Sequence, residues 1–212
     1  LICFHSHILL TMLTALMRAV SPTMGWCELT YLARQEINVD KAVEQHEGYK
    51  RCLASLGVQI ISLPAEPALP DAVFVEDPVV VVDEVAVIAR MGAASRRREA
   101  DSLAQALAAF RPLRHIREPA TLEGGDVLRV GSDVFVGLSP RTSQAGVSQL
   151  AAELEPFGYK VRPVTVRGAL HLKTACCAVG DRTLLINRTR IDGAALDGYN
   201  SIAVAEAEPW AA

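Results

Sequence analysis

A nine-residue segment, 70–78, contains the residues best suited to chemistry. It reads Pro-Asp-Ala-Val-Phe-Val-Glu-Asp-Pro and places Asp71, Glu76 and Asp77 within a run that otherwise looks like a buried strand. Buried carboxylates are costly unless a cation or hydrogen-bond donors meet them. The nearest basic residue along the chain is Arg90. The segment therefore predicts either a bound cation such as a planar guanidinium, or acids that cap a turn or pair with distant arginines.

Four later segments combine turn residues with charged or titratable side chains. Considered one at a time, each has an ordinary structural explanation. A histidine between two leucines is typical of a buried core, and acids beside a glycine doublet are typical of turns. The segments are Gly-Ala-Ala-Ser-Arg-Arg with Arg96, Glu-Gly-Gly-Asp with Glu123 and Asp126, Ser-Pro-Arg-Thr with Arg141, and Leu-His-Leu-Lys with His171.

The elements that must position these residues recur along the chain. Apolar residues at helical spacing predict three helices, each followed by Gly or Pro and then by β-rich sequence. Tight strand pairs with turn residues between them separate the helices. The predicted helices span 40–56, 95–110 (with Ser95 as N-cap) and 142–157, with a short helical stretch at 194–196. The predicted strands span 15–20, 58–63, 79–82, 85–89, 113–117, 126–130, 133–136, 160–166, 175–179, 183–186 and 201–205.

This order gives about four copies of a strand–strand–helix–strand unit of about forty to fifty residues. Such a period is typical of repeat and propeller architectures, in which no unit buries its apolar face alone. A doubly wound sheet is the alternative, but it requires strands and helices in strict alternation. No glycine-rich phosphate loop is present, since an acid precedes the doublet Gly124-Gly125.

Composition narrows the class of protein. The chain has 212 residues, of which 50% are hydrophobic and 21% charged, so it is predicted to be globular. The net charge is -3, and the sequence shows no evident basic face. Both observations argue against a nucleic-acid partner. Five cysteines, mostly in apolar segments, indicate reduced thiols and a cytoplasmic location. Cys3, His5 and His7 alternate, but no second ligand pair at zinc-site spacing accompanies them, so no metal is expected.

The first residues are apolar, but they lack early positive charge and form no signal-peptide pattern. They are too short for a convincing membrane span. We therefore expect residues 1–14 to be an extra leader or remnant and residues 15–212 to form a single, incomplete propeller domain.

Taken in order, the five charged segments resemble the dimethylarginine dimethylaminohydrolase family. This family belongs to the guanidine-modifying enzymes, which include arginine deiminase and the amidinotransferases. The resemblance extends over about residues 15–212. It implies a pentein-type α/β propeller with about four of its five modules present. It also implies hydrolysis of Nω-methylated arginine to citrulline and a methylamine, without a cofactor.

The resemblance also implies roles for individual residues. Asp77 and Glu76 match the acids that bind the substrate guanidinium, and Asp71 and Phe74 match residues that line the pocket. Two arginines, Arg96 and Arg141, match those that bind the substrate carboxylate. His171 matches the catalytic histidine, and Glu123 matches the acid beside it.

General chemistry agrees with these implied roles. Carboxylates can fix a guanidinium while a nucleophile attacks its central carbon. A histidine can protonate the departing amine and then deprotonate the water that resolves the adduct. Glu123 would favour the imidazolium form of His171, which keeps that acid available near neutral pH.

The family nucleophile is a cysteine near the C-terminus, and no cysteine follows Cys177. We expect the nucleophile to lie beyond Ala212, which predicts that this chain alone is inactive. Cys176 and Cys177 lie in an apolar strand, where cysteine usually acts as a small hydrophobe.

Three alternatives remain open. One is an arginine deiminase or amidinotransferase, the second is a non-catalytic binder of cationic arginine derivatives, and the third is an inert interaction fragment. The expected partner is a methylated arginine, with no nucleic acid and no membrane. An incomplete propeller also predicts a homo-oligomer or aggregation through the open sector.

Overall fold

Four three-stranded sheets and three α-helices make up the part of the chain described by a computed structural model, residues 2–5, 13–205 and 207–208. The sheets have the orders β1-β2-β3, β4-β5-β6, β7-β8-β9 and β10-β11-β12. The strands are β1 (Ile2–His5), β2 (Leu13–Arg18), β3 (Gln59–Leu63), β4 (Val79–Val81), β5 (Ala86–Ile88), β6 (Leu113–His115), β7 (Val127–Val130), β8 (Asp133–Leu138), β9 (Lys160–Thr165), β10 (Cys176–Gly180), β11 (Thr183–Ile186) and β12 (Asn200–Ala203). The helices are α1 (Val39–Ser55), α2 (Glu99–Leu107) and α3 (Gln144–Leu154).

The sheets repeat one pairing scheme. In the first, third and fourth sheets an antiparallel pair is followed by a third strand that runs parallel to the second. A parallel strand requires a crossover connection, and α1 and α3 supply it in the first and third sheets. The repeat of strand, strand, helix and strand is therefore present as predicted.

The chain divides into two compact units. The first comprises Leu1–Ile88 and Ala93–Arg114, and the second comprises Ala89–Gly92 and His115–Ala212. In the first unit, Leu103 and Leu107 of α2 are fully buried against Leu16 and Ile88 in one apolar cluster. This burial fixes α2, and the residues that precede it, against the β4-β5 hairpin.

Helix α1 in the first unit differs from its prediction. Its N-terminus is capped by Asn38, whose side chain accepts a hydrogen bond from the Lys41 amide at 2.9 Å. The predicted apolar face, however, is not buried: Val43 and Tyr49 are 41% and 46% exposed. The reason is that α1 contacts β3, an edge strand with no fully buried residue of its own.

The second unit has its own core, in which Phe135 of β8 and Leu184 of β11 are fully buried. The Phe135 ring meets the Tyr199 ring edge-on, with centroids 5.3 Å apart. On the β10-β11-β12 sheet, Val179 and Ile202 remain 52% and 53% exposed. Self-association through such a surface stays a prediction.

Two local predictions about secondary structure were wrong, each at a charged segment, and a third differs from the structure by one residue. Residues 70–77 form consecutive turns rather than a strand. Helix α2 begins at Glu99 rather than after Ser95, because the Ser95 hydroxyl donates to the Glu28 carboxylate instead of capping the helix. Residues Gly124–Asp126 form a 3-10 turn, so that β7 starts only at Val127.

The expected boundary at residue 15 stays a prediction. Within the expected leader, Ile2–His5 form β1, which pairs with β2 in antiparallel register. Residues 1 and 6–12, including His7, lie outside the described residues. Among the residues that are described, no helix is long and apolar enough to cross a membrane.

Replacement of Phe135 by alanine is expected to lower the free energy of unfolding by about 3–5 kcal/mol, because it opens a cavity in the core of the second unit. Urea-induced unfolding measures the change. Phe157→Ala is the control, since Phe157 is 42% exposed and its truncation should cost about 1 kcal/mol or less. Equal losses in the two variants would contradict the position of Phe135 in the core.

Candidate active site

The predicted site residues are divided between the two units. Asp71, Phe74, Glu76, Asp77 and Arg96 belong to the first unit. Glu123, Arg141 and His171 belong to the second.

In the first unit the acidic segment is a chain of tight turns. The amide of Phe74 donates to the carbonyl of Asp71 at 2.9 Å, and the amide of Asp77 donates to the carbonyl of Phe74 at 3.0 Å. In a chain of turns, successive side chains point in different directions. Neighbouring acids can therefore occupy separate environments. Asp71 is buried, whereas Glu76 and Phe74 are exposed.

Asp71 and Phe74 have distinct contacts. The Asp71 carboxylate accepts a hydrogen bond from the Glu28 amide at 3.0 Å, so one of the acids in this run does fix a loop. The exposed ring of Phe74 lies 6.0 Å from the guanidinium carbon of Arg96, a cation–π distance.

Arg96 is the charged partner that the sequence did not place beside these acids. Its side chain is almost fully buried, and Nη1 donates to Oδ2 of Asp77 at 3.0 Å. Two further nitrogens, Nε and Nη2, each donate to one oxygen of Glu99 at 2.9 Å. Of the two explanations for the acidic run, pairing with a distant arginine therefore applies to Asp77.

The electrostatics of this cluster favour a permanent charge on Arg96. Burial alone disfavours a charged guanidinium, but the hydrogen bonds to Glu99 and the charges of Asp77 and Glu99 raise the pKa of Arg96. Burial raises the pKa of Glu99 to about 6, although the hydrogen bonds from Arg96 oppose this shift. At neutral pH both partners are therefore ionised.

Glu99 is a site residue that the sequence analysis missed. The available signal was its spacing, because Arg96 and Glu99 are three residues apart, as in ion pairs along a helix. A guanidinium carries five N–H donors. Three of those of Arg96 are used by Asp77 and Glu99, which leaves two for a ligand.

In the second unit the central group is the carboxylate of Glu123, which is fully buried. Its Oε2 lies 2.7 Å from Nε2 of His171. Its Oε1 accepts from the Gly92 amide at 3.1 Å and from Nη1 of Arg141 at 3.4 Å. The structure thus brings together all three site residues predicted in this unit.

The segment before Glu123 is fixed between the start of α3 and another stretch of backbone. The amide of Leu122 donates to the carbonyl of Arg90 at 2.9 Å. Thr121 exchanges hydrogen bonds with Ser143, whose side chain also caps α3. A Cβ at Gly146, in the first turn of α3, would lie only 2.0 Å from the Thr121 carbonyl oxygen. Glycine is therefore required for this close approach.

The turn that bears Arg141 packs equally closely. A Cβ at Gly92 would lie 2.5 Å from the Arg141 carbonyl oxygen, so only glycine allows the Gly92 amide to reach Glu123. The hydroxyl of Thr142, the next residue, accepts the Glu123 amide at 3.1 Å. Close backbone packing, more than side-chain size, sets the position of the Glu123 carboxylate.

This geometry suits proton transfer. An ionised carboxylate only accepts hydrogen bonds, so a Glu123 anion requires His171 to donate its Nε2 proton. A buried carboxylate beside an imidazole also stabilises the imidazolium that forms when the ring takes up a second proton. His171 can therefore alternate between accepting and donating a proton at a fixed position.

The two adjacent cysteines of this unit lie on β10. Cys176 is fully buried, and burial raises the pKa of its thiol to about 12. A thiol of that kind stays protonated near neutral pH and is a poor nucleophile. Cys177 is partly buried.

Comparisons with known proteins agree with the resemblance. A family profile described as "N,N dimethylarginine dimethylhydrolase, eukaryotic" matches residues 30–197. An N(G),N(G)-dimethylarginine dimethylaminohydrolase of Streptomyces coelicolor is 40% identical over 172 residues, covering 81% of this chain and 67% of the relative. One of Pseudomonas aeruginosa is 37% identical over 174 residues, covering 81% of this chain and 68% of the relative.

Solved structures show the same similarity. The Pseudomonas aeruginosa enzyme with a cysteine-to-serine mutation, complexed with citrulline, superposes with a TM-score of 0.87 at 31% identity. A dimethylarginine dimethylaminohydrolase with a histidine-to-glycine mutation, as an adduct with S-methyl-L-thiocitrulline, gives 0.87 at 32%. Each match covers 93% of this chain and 78% of the other. The predicted pentein-type α/β propeller fold is therefore confirmed.

Replacement of Arg96 by alanine is expected to lower the free energy of unfolding by about 3–5 kcal/mol, because it leaves the buried Glu99 and the Asp77 carboxylate without their cation. Chemical denaturation measures the loss. Arg98→Ala removes the same charge from an exposed neighbour and should change the value by about 0.5 kcal/mol or less. A loss in Arg96→Ala no larger than in Arg98→Ala would exclude a structural role for the Glu99–Arg96–Asp77 cluster.

Proposed function

This chain belongs to the dimethylarginine dimethylaminohydrolase family, and we propose that it contributes to the hydrolysis of Nω-methylated arginine to citrulline and a methylamine. The observation that carries the proposal is the buried contact of 2.7 Å between His171 and Glu123. It supplies the acid–base group that the reaction needs.

Each of the predicted binding residues has a proposed role in recognition of the substrate. We propose that Asp77 and Glu76 bind the guanidinium, because carboxylates match its N–H donors, while Asp71 and Phe74 line the pocket. We propose Arg96 and Arg141 for the substrate carboxylate. For Arg96 this role uses the two N–H donors that remain after it has bound Asp77 and Glu99.

The proposed reaction has two halves. A thiolate attacks the guanidinium carbon, a carbon–sulfur bond forms, and the bond to the methylamine breaks as the leaving nitrogen takes a proton from the His171 imidazolium. Water then attacks the same carbon and gives a proton to His171. The carbon–sulfur bond then breaks, citrulline leaves, and the second proton of the water passes to the sulfur. The resulting thiol loses this proton to solvent before the next turnover, which restores the thiolate. Glu123 keeps the ring oriented and stabilises its charged form.

The thiol in this proposal is not supplied by Cys176 or Cys177. Cys176 is fully buried with a thiol pKa of about 12, and Cys177 shares its apolar strand. The proposal instead places the nucleophile at a cysteine outside the 212 residues. All five cysteines in the chain are free thiols, and for this reason we propose a cytoplasmic location.

Replacement of Asp77 by asparagine is expected to weaken the binding of Nω,Nω-dimethylarginine by about 1–3 kcal/mol, because it removes a charge-assisted hydrogen bond to the guanidinium. Isothermal titration calorimetry on the 212-residue chain measures the change. Asp101→Asn is the control, since it removes the same charge from an exposed position of α2 in the same unit.

Equal affinity in Asp77→Asn and Asp101→Asn would exclude Asp77 from the binding site. Titration with unmethylated arginine separates a dimethylargininase-type site from a deiminase-type site. The former should prefer the methylated ligand, and the latter should not.

The 212-residue chain is expected to release no citrulline from dimethylarginine above the rate of a protein-free blank, because none of its cysteines is proposed as the nucleophile. A colorimetric citrulline assay measures this. If citrulline forms and Cys177→Ser abolishes it, Cys177 is the nucleophile and the proposal about the thiol is wrong.

A further inference from the structure

Asp126 is a second fully buried carboxylate in the second unit, three residues after Glu123. The chemistry described above does not use it. A buried carboxylate is costly unless hydrogen-bond donors or a counter-charge meet it. Burial indeed raises the pKa of Asp126, while the charge of His171 and the hydrogen bonds from neighbouring groups oppose the shift. Its contacts show what it does instead of reacting.

One oxygen of Asp126 binds the segment of the catalytic histidine. Oδ1 accepts the amide of Leu172 at 2.8 Å, and Leu172 directly follows His171 in the chain. The amide of Leu172 has a single proton, so this contact fixes the peptide plane between the two residues. It therefore limits where the imidazole can lie.

The other oxygen binds the turn that bears Arg141. Oδ2 accepts the hydroxyl proton of Ser139 at 2.6 Å. The oxygen of that hydroxyl in turn accepts the amides of Arg141 at 3.0 Å and Thr142 at 3.2 Å. A serine hydroxyl has one donor and two acceptor sites, so Ser139 is fully used by this arrangement.

The space that the Asp126 carboxylate occupies depends on a glycine in β8. Gly137 of β8 lies against it, and a Cβ there would come within 2.5 Å of Oδ1 of Asp126 and 2.9 Å of Cβ of Leu172. Any side chain at this position would displace the Asp126 carboxylate from the Leu172 amide. Two other segments, 137–142 and 171–172, therefore meet at one buried acid.

We propose that Asp126 is a positioning residue that aligns His171 and Arg141 on Glu123 by binding both of their segments with one carboxylate. The inference rests on the proposed function only in taking His171 and Arg141 as the working side chains. Asp126 itself touches no reacting atom, so its effect acts through the two segments that it binds.

Hydrogen exchange followed by NMR on the 212-residue chain tests this directly. In Asp126→Ala, the Nε2 proton of His171 and the amide of Leu172 should exchange about tenfold faster or more, because each loses the equivalent of a hydrogen bond to a charged group. The amides of Phe135 and Val136 in β8 should stay within about threefold of their original rates. A loss of global stability would accelerate all four alike, which would overturn the proposal.

A second variant separates the two contacts. Ser139→Ala removes the hydrogen bond between Asp126 and Ser139, and it leaves the contact with the Leu172 amide in place. It should accelerate exchange at the amides of Arg141 and Thr142 by about tenfold while the Leu172 amide keeps its protection. Unchanged exchange at Arg141 and Thr142 would also overturn the proposal, and this test remains if Asp126→Ala does not fold.

Matched substitutions complete the design. Asp126→Asn keeps one acceptor oxygen and should fall between the wild-type protein and Asp126→Ala. Asp181→Ala and Ser148→Ala change exposed residues and should leave exchange at His171 and Arg141 unchanged. An effect of Asp181→Ala as large as that of Asp126→Ala would attribute the result to charge alone and overturn the proposal.

A binding measurement separates this inference from the proposed function. Calorimetry with dimethylarginine should show weaker affinity in Asp126→Ala and Ser139→Ala than in Asp181→Ala. If the wild-type chain binds no dimethylarginine, the proposed function fails, while the exchange rates still decide whether Asp126 positions His171. If the ligand binds with equal affinity to all variants, the positioning role fails and the proposed function stands.

Discussion

Two fully buried carboxylates, Glu123 and Asp126, are the constraint on which the second unit depends. Removing such groups from water costs several kcal/mol each unless donors replace the lost solvent. The donors come from distant parts of the chain: Gly92, Arg141 and His171 for Glu123, and Ser139 and Leu172 for Asp126. Folding of this unit therefore requires these segments to converge, and the convergence also assembles a histidine–carboxylate pair.

The first unit also contains a buried charge that requires partners, and in this unit the buried charge is positive. Arg96 is buried, and its guanidinium contacts Asp77 on one side and Glu99 on the other. A lone buried guanidinium would be unfavourable, but two carboxylates raise its pKa and keep it ionised. The cluster fixes Asp77 in place before any ligand arrives, which reduces the entropy that binding has to overcome.

Apart from Glu99 in α2, the charged site residues of both units lie on turns, bends and short 3-10 segments, whereas strands β4, β5 and β8 are apolar and largely buried. This division follows from the fold, because a hairpin sheet provides a rigid support while its connections remain able to present polar groups. Glycine allows the closest approaches. At Gly92, Gly137 and Gly146 a single added carbon would collide with the backbone or with a site carboxylate.

Hydrophobic periodicity and turn residues were sufficient to predict the repeated strand–strand–helix–strand order, because both are local properties of the chain. The order of the charged motifs was sufficient to identify the family. The pairing of Asp77 with Arg96, the two hydrogen bonds of Arg96 to Glu99 and the contacts of Asp126 could not be predicted. They join residues through hydrogen bonds whose geometry depends on how separate segments pack. The turns at 70–77 and the late start of α2 were also missed, since the side chains that bind there compete with the local preference for strand or helix. The sequence determined which residues could do chemistry, whereas the tertiary structure decided which of them meet, because a buried charge is stable only where distant donors or a distant counter-charge are brought to it.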